Sequence, residues 1–70
     1  MDSGKTGTLI AEARKAKGLT QRQLAETLHI SDRTVSKWER GAGFPDVALL
    51  EPLADALGHT VRSLLRGEAE

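Results

Sequence analysis

No cysteine occurs among the 70 residues, which excludes disulfides and thiolate metal sites. A chain this short has a core that covers only about 60% of the surface its unfolded form exposes, so packing must do what staples do elsewhere. The lack of cysteine fits a reducing cytoplasm. No apolar run approaches the roughly 20 residues of a membrane span. The N-terminus also lacks the apolar core of a secretion signal. The expectation is one cytoplasmic domain over residues 1–70, with no membrane association. The two histidines, His29 and His59, stand alone and far apart, so neither a metal nor a cofactor is expected.

Net charge is missing too, since ten basic residues balance ten acidic ones. The balance is uneven along the chain. From Lys5 to Arg40 eight basic residues face four acidic ones, whereas from Gly41 onward two arginines face five acids. A locally positive field is what binding to phosphate requires, although mixed charge also suits any solvated surface.

Strand patterns, repeats and low-complexity tracts are absent, and what remains is helical punctuation. Leu9, Ile10, Ala13 and Ala16 share a helical spacing that predicts a first helix over residues 6–17, stopped by Gly18. Thr20-Gln21-Arg22-Gln23 reads as a capping box for a second helix over 21–28, with Leu19 and Leu24 as its hydrophobic staple. Ser31 caps a third helix that runs to Arg40 and stops at Gly41. Asp46 is placed to cap a fourth, reaching Leu57, in which Pro52 predicts a kink or break around Leu50 and Glu51. Thr60 caps a short fifth helix over 61–66. Residues 1–5 and 67–70 read as frayed ends. The fold class is therefore all-α, a compact five-helix bundle.

Only His29 and Ile30 lie between the second helix and the capping Ser31. So short a turn makes two helices cross steeply, as in a helix-turn-helix unit, here residues 20–41. With Ser31 at zero and about 100° per residue, Val35 falls at about 40° and Trp38 at about 340°, which sets the inward face. On the same count Ser36 falls at about 140°, Arg40 at about 180°, Arg33 at about 200° and Lys37 at about 240°, all pointing outward. The helix thus has an apolar face and a long, cationic, hydrogen-bonding one. A B-DNA major groove admits such a helix and offers guanine O6 and N7 to Arg and Lys.

Residues 20–41, TQRQLAETLHISDRTVSKWERG, resemble the helix-turn-helix of the phage repressor and Cro superfamily, the Xre type, and the tail PDVALLEPLADALGHTVRSLL is similar to the family's fourth and fifth helices. The resemblance implies that Ser31, Asp32, Arg33, Ser36 and Lys37 face base edges, with Ser36 the weaker candidate. It implies that Gln21 and Arg40 hold phosphates, helped by backbone amides at the start of the second helix. It also implies a structural ion pair between Arg14 and Glu39. Glu39 falls at about 80° on the helical count, at the core margin, consistent with that role. Two positions depart from the family pattern. His29 stands where glycine is frequent in a left-handed turn. Asp32 puts a negative charge beside the groove, either to accept from a cytosine N4 amine or, the reading favoured here, to suit the helix dipole.

The function expected from the cationic outer face is sequence-specific binding of double-stranded DNA by a transcriptional regulator, a repressor, and the resemblance implies that it acts as a homodimer. Val61, Leu64, Leu65 and the Phe44 loop are the apolar groups available for dimer contact. The alternative is a protein-interaction module or antitoxin on the same fold, supported by the acidic second half. An enzyme is not expected. Gly4-Lys5-Thr6 imitates the end of a P-loop without its upstream glycine, and Ser31, Ser63 and Asp55 form no nucleophile arrangement.

Overall fold

Capping side chains set the N-terminal ends of four of the five helices. The computed structural model describes residues 2–69, and the elements are α1 (Ser3–Ala16), α2 (Gln21–Leu28), α3 (Asp32–Glu39), α4 (Val47–Leu57) and α5 (Val61–Arg66). Thr20 Oγ1 accepts from the Gln23 N–H while the Gln23 side chain accepts from the Thr20 N–H, so the capping box forms reciprocally. Ser31 and Thr60 cap α3 and α5 in one direction only, their side-chain oxygens accepting from the Thr34 and Ser63 N–H groups. Among the described residues there is no strand, and no helix is long and apolar enough to cross a membrane.

Four local expectations need correction. The first helix begins at Ser3, not Thr6, because Asp2 Oδ1 accepts from the backbone N–H groups of Gly4 and Lys5 at 2.9 and 3.1 Å. Residues 2–5 are therefore fixed rather than frayed; Met1 lies outside the described residues. At the other end the Glu68 N–H donates to the Ser63 carbonyl, the Ser63 hydroxyl donates to the Glu68 carbonyl at 2.6 Å, and Lys5 pairs with Glu68. Residues 67 and 68 are held as well, and Glu70 lies outside the described residues. Pro52 does not break α4, which runs continuously through it. The carbonyl that loses its donor belongs to Ala48, in an exposed first turn where water can replace the bond. Asp46 occupies the N-cap position of α4 without a side-chain capping bond; its carbonyl accepts from the Leu49 N–H instead.

One core joins all five helices. Ile10, Leu24, Val35, Leu53 and Leu64 are wholly buried, with Leu28, Trp38, Leu50 and Leu57 around them. Against this core α1 packs on α3 and α5, α2 on α3 and α4, and α4 on α5. The buried Thr6 hydroxyl donates to the Leu64 carbonyl at 2.7 Å and ties α1 to α5. Gly7, whose role the sequence does not announce, lets α1 lie directly against the backbone of Trp38 and Glu39. This framework fixes α3 from behind and leaves its other side in water.

Candidate nucleic-acid interface

The candidate interface begins at the turn between α2 and α3. His29 is left-handed at φ 58° and is the one non-glycine residue of positive φ among those described. The Ile30 N–H donates to the Ala25 carbonyl at 3.0 Å and the His29 N–H to Glu26, closing α2 in a Schellman-type cap. Ser31 then starts α3 at once. Its hydroxyl accepts from the Thr34 N–H and pairs with the Thr34 hydroxyl at 3.1 Å. Ala25, nearly inaccessible, provides the small contact that the tight turn needs.

Along α3 the two faces separate as the helical period predicts. Val35 is inaccessible and Trp38 is 4% exposed, so the tryptophan is core and no stacking platform. Arg33, Lys37 and Arg40 are exposed, and among the described residues none takes part in an ion pair. They line a shallow groove of 480 Å³ together with Ser31, Thr34 and Ser36. Ser36 is half-buried rather than fully outward. Arg40 also bends back, its Nε donating to the Ser36 carbonyl at 3.3 Å. Asp32 is exposed but lines a different depression, between α2 and α3, with Arg22, Ala25, Glu26, Ile30 and Ser31. The structure thus brings Ser31, Arg33, Ser36, Lys37 and Arg40 onto one surface and sets Asp32 to the side, in the first turn where a carboxylate suits the dipole.

Arg14 and Glu39 join α1 to the end of α3. Arg14 Nε lies 2.7 Å from Glu39 Oε2 and Nη2 lies 3.0 Å from Oε1, a bidentate pair with side chains 10% and 8% exposed. Nη1 donates to the Leu19 carbonyl at 2.8 Å. Burial pushes the Glu39 carboxyl up, but the hydrogen bonds from Arg14 and Gln21 and the charges of Arg14 and Lys15 outweigh it. Its pKa therefore sits below the ordinary carboxylate value. The hydrogen bond to Glu39 likewise raises the Arg14 guanidinium. Gln21, the first residue of α2, donates from Nε2 to Glu39 Oε1 at 3.0 Å. That second partner of Glu39 is not visible in the sequence, where the resemblance implies for Gln21 only a phosphate contact.

Residues 10–67 match the sequence profile described as Helix-turn-helix, HTH_3. The chain belongs to this Xre-type helix-turn-helix family. It is 41% identical over 59 residues to the HTH-type transcriptional activator BcrR of Enterococcus faecalis, an alignment spanning 84% of this chain and 29% of that protein. The chain thus spans under a third of BcrR. Among solved structures, the clp gene regulator ClgR from Corynebacterium glutamicum superposes with a TM-score of 0.83 at 31% identity, covering 96% of this chain and 71% of that one. The restriction-modification controller protein C.AhdI from Aeromonas hydrophila superposes with a TM-score of 0.81 at 35% identity, covering 90% and 96% respectively. In this Xre-type domain α2 and α3 are the helix-turn-helix pair, and Arg33 and Lys37 stand on the outer face of its second helix.

Proposed function

We propose that the chain is a cytoplasmic, sequence-specific DNA-binding domain of a transcription regulator, which lays α3 in the major groove of a duplex. The observation that carries this reading is the exposed set Arg33, Lys37 and Arg40, without ion pairs among the described residues, opposite the buried Val35 and Trp38. Arg33 and Lys37 are suited to guanine O6 and N7, with Ser31, Ser36 and, from the side, Asp32 as further base-facing groups. Arg40 and Gln21 flank them as phosphate holders. The N–H groups of Gln21 and Arg22 add to that grip, since among the described residues the capping box leaves them without a partner. The relatives named above are regulators, which supports a binding role and not an enzymatic one.

A domain seated in a groove excludes other proteins from that duplex, which supports repression; activation, the activity in the name of BcrR, needs a further contact. A homodimer on two half-sites about 34 Å apart is the assembly we infer. Leu64 is wholly buried and drops out of the contact candidates. Val47, 81% exposed, joins the half-buried Phe44, Val61 and Leu65.

Titration against a duplex pool of randomised sequence at several salt concentrations tests the reading. Affinity should fall linearly on logarithmic axes, because each neutralised phosphate releases counterions. Absence of salt-dependent association would overturn it. Copurification of a stoichiometric protein partner in that case would assign the fold to protein recognition, a role suited to the acidic stretch after Gly41.

A further inference from the structure

We propose that Glu39 is a positioning residue for phosphate: it holds the Gln21 carboxamide in place at the start of α2, while Arg14 cancels the charge that would otherwise repel a DNA backbone. This rests on the duplex-binding reading and assigns to the buried pair a role beyond tying helices together.

Glu39 Oε1 accepts both Arg14 Nη2 and Gln21 Nε2, each at 3.0 Å. A carboxylate paired to a guanidinium only accepts, so the amide group facing it is the NH2 and not the carbonyl. One amide hydrogen is thereby fixed on Glu39, and planarity sets the direction of the other. That second hydrogen belongs to the residue that opens α2, whose own N–H and that of Arg22 are, among the described residues, the free donors of the helix start. Three donors at one helix end suit one phosphate oxygen cluster. An untethered glutamine has three rotatable bonds to order on binding, a cost that the bond to Glu39 removes beforehand. The position of Arg14 completes the device. Without its bidentate grip a bare carboxylate would stand next to the place where a phosphate must come.

Removing one partner of a buried pair endangers the fold, so the test replaces both. Duplex affinity for the randomised pool is measured for wild type, Gln21→Ala, the double variant Arg14→Leu/Glu39→Met, and the triple variant. Gln21→Ala should weaken wild type by about tenfold, the scale of one hydrogen bond to a charged group. Because glutamine is neutral, the salt slope should stay as it was. In the Arg14→Leu/Glu39→Met background the same change should cost less than about threefold, since the tether is already gone. Equal losses in both backgrounds would overturn the positioning role while leaving duplex binding intact. A wild type that binds no duplex would overturn both readings. Should the double variant not fold, nuclear magnetic relaxation of the Gln21 side-chain amide in free wild type decides. An ordered amide supports the tether, and one that reorients freely overturns it.

Discussion

Gly7 sits against the carbonyl oxygen of Trp38 so closely that a Cβ on residue 7 would overlap it, and would also lie 3.1 Å from the carbonyl oxygen of Glu39. These are backbone atoms of α3 and cannot swing aside as a side chain would. Gly7→Ala must therefore push α1 away from the end of the proposed reading helix. Overpacking of this kind costs about 1–3 kcal/mol, offset in part by the better helix propensity of alanine, up to about 1 kcal/mol. The expected outcome is a Tm lower by roughly 5–15 °C in thermal unfolding. An unchanged or raised Tm would show that α1 and α3 are not in contact as described.

The pair of Arg14 with Glu39 makes stability depend on acid. The folded pKa of Glu39 lies below its ordinary value of 4.5, so its contribution is present above that value and is lost as pH falls through the folded pKa. Arginine stays charged throughout, and the raised Arg14 pKa adds nothing at accessible pH. Thermal unfolding between pH 7 and pH 3 should show a steep fall in Tm below about 4.5 for wild type. The fall should be shallower for Arg14→Leu/Glu39→Met, which has no such carboxylate to protonate. Parallel curves for the two proteins would assign the acid sensitivity to other groups.

His29 holds a left-handed conformation at φ 58° that favours glycine. The steric penalty for a residue with a Cβ there is about 1–2 kcal/mol, against which glycine loses about 0.5–1 kcal/mol of unfolded-state freedom. His29→Gly should accordingly raise the Tm, by up to about 10 °C. His29→Val, β-branched at the same position, should lower it. Differential scanning calorimetry of both variants checks the sign, and a loss on replacement by glycine would mean that the imidazole itself contributes a contact.

Much of this fold is written in short-range chemistry, and that is why it is legible. Thr20 with Gln23, Ser31 with Thr34, and Thr60 with Ser63 are contacts three residues apart that a chain makes from its local sequence. The outward set of Arg33, Lys37 and Arg40 follows from helical period alone, because Val35 and Trp38 leave one way to turn α3. Asp2 escapes a reading by pattern because Lys5, not Glu or Gln, stands three residues on, so only half of a capping box is present. Pro52 misleads because the cost of proline depends on whether the orphaned carbonyl reaches water, which is a property of the packed molecule. Gly7 against Trp38 and Gln21 on Glu39 join residues 31 and 18 positions apart, and nothing in local pattern announces them. The proposed site is readable as a surface, and the Arg14–Glu39 pair behind it through the family resemblance, but the contacts of Gly7 and Gln21 that complete its support are not.

Arg33 and Arg40 provide the sharpest test of how that surface divides its work. Both are exposed arginines on one groove, so simple electrostatics would treat them alike. Their positions differ. Arg33 lies in the first turn of α3, where a helix entering the major groove meets base edges, whereas Arg40 follows its last turn, where the proposed docking brings the phosphate backbone. Arg33→Ala should cost about 1–3 kcal/mol on the preferred site and relax sequence preference at one base pair. Arg40→Ala should weaken all duplexes alike and reduce the salt slope by about 1. Site selection from random duplex followed by titration at several salt concentrations separates the two. If both variants lose the same affinity for preferred and random duplex, with equal slopes, the face of α3 grips charge without reading sequence.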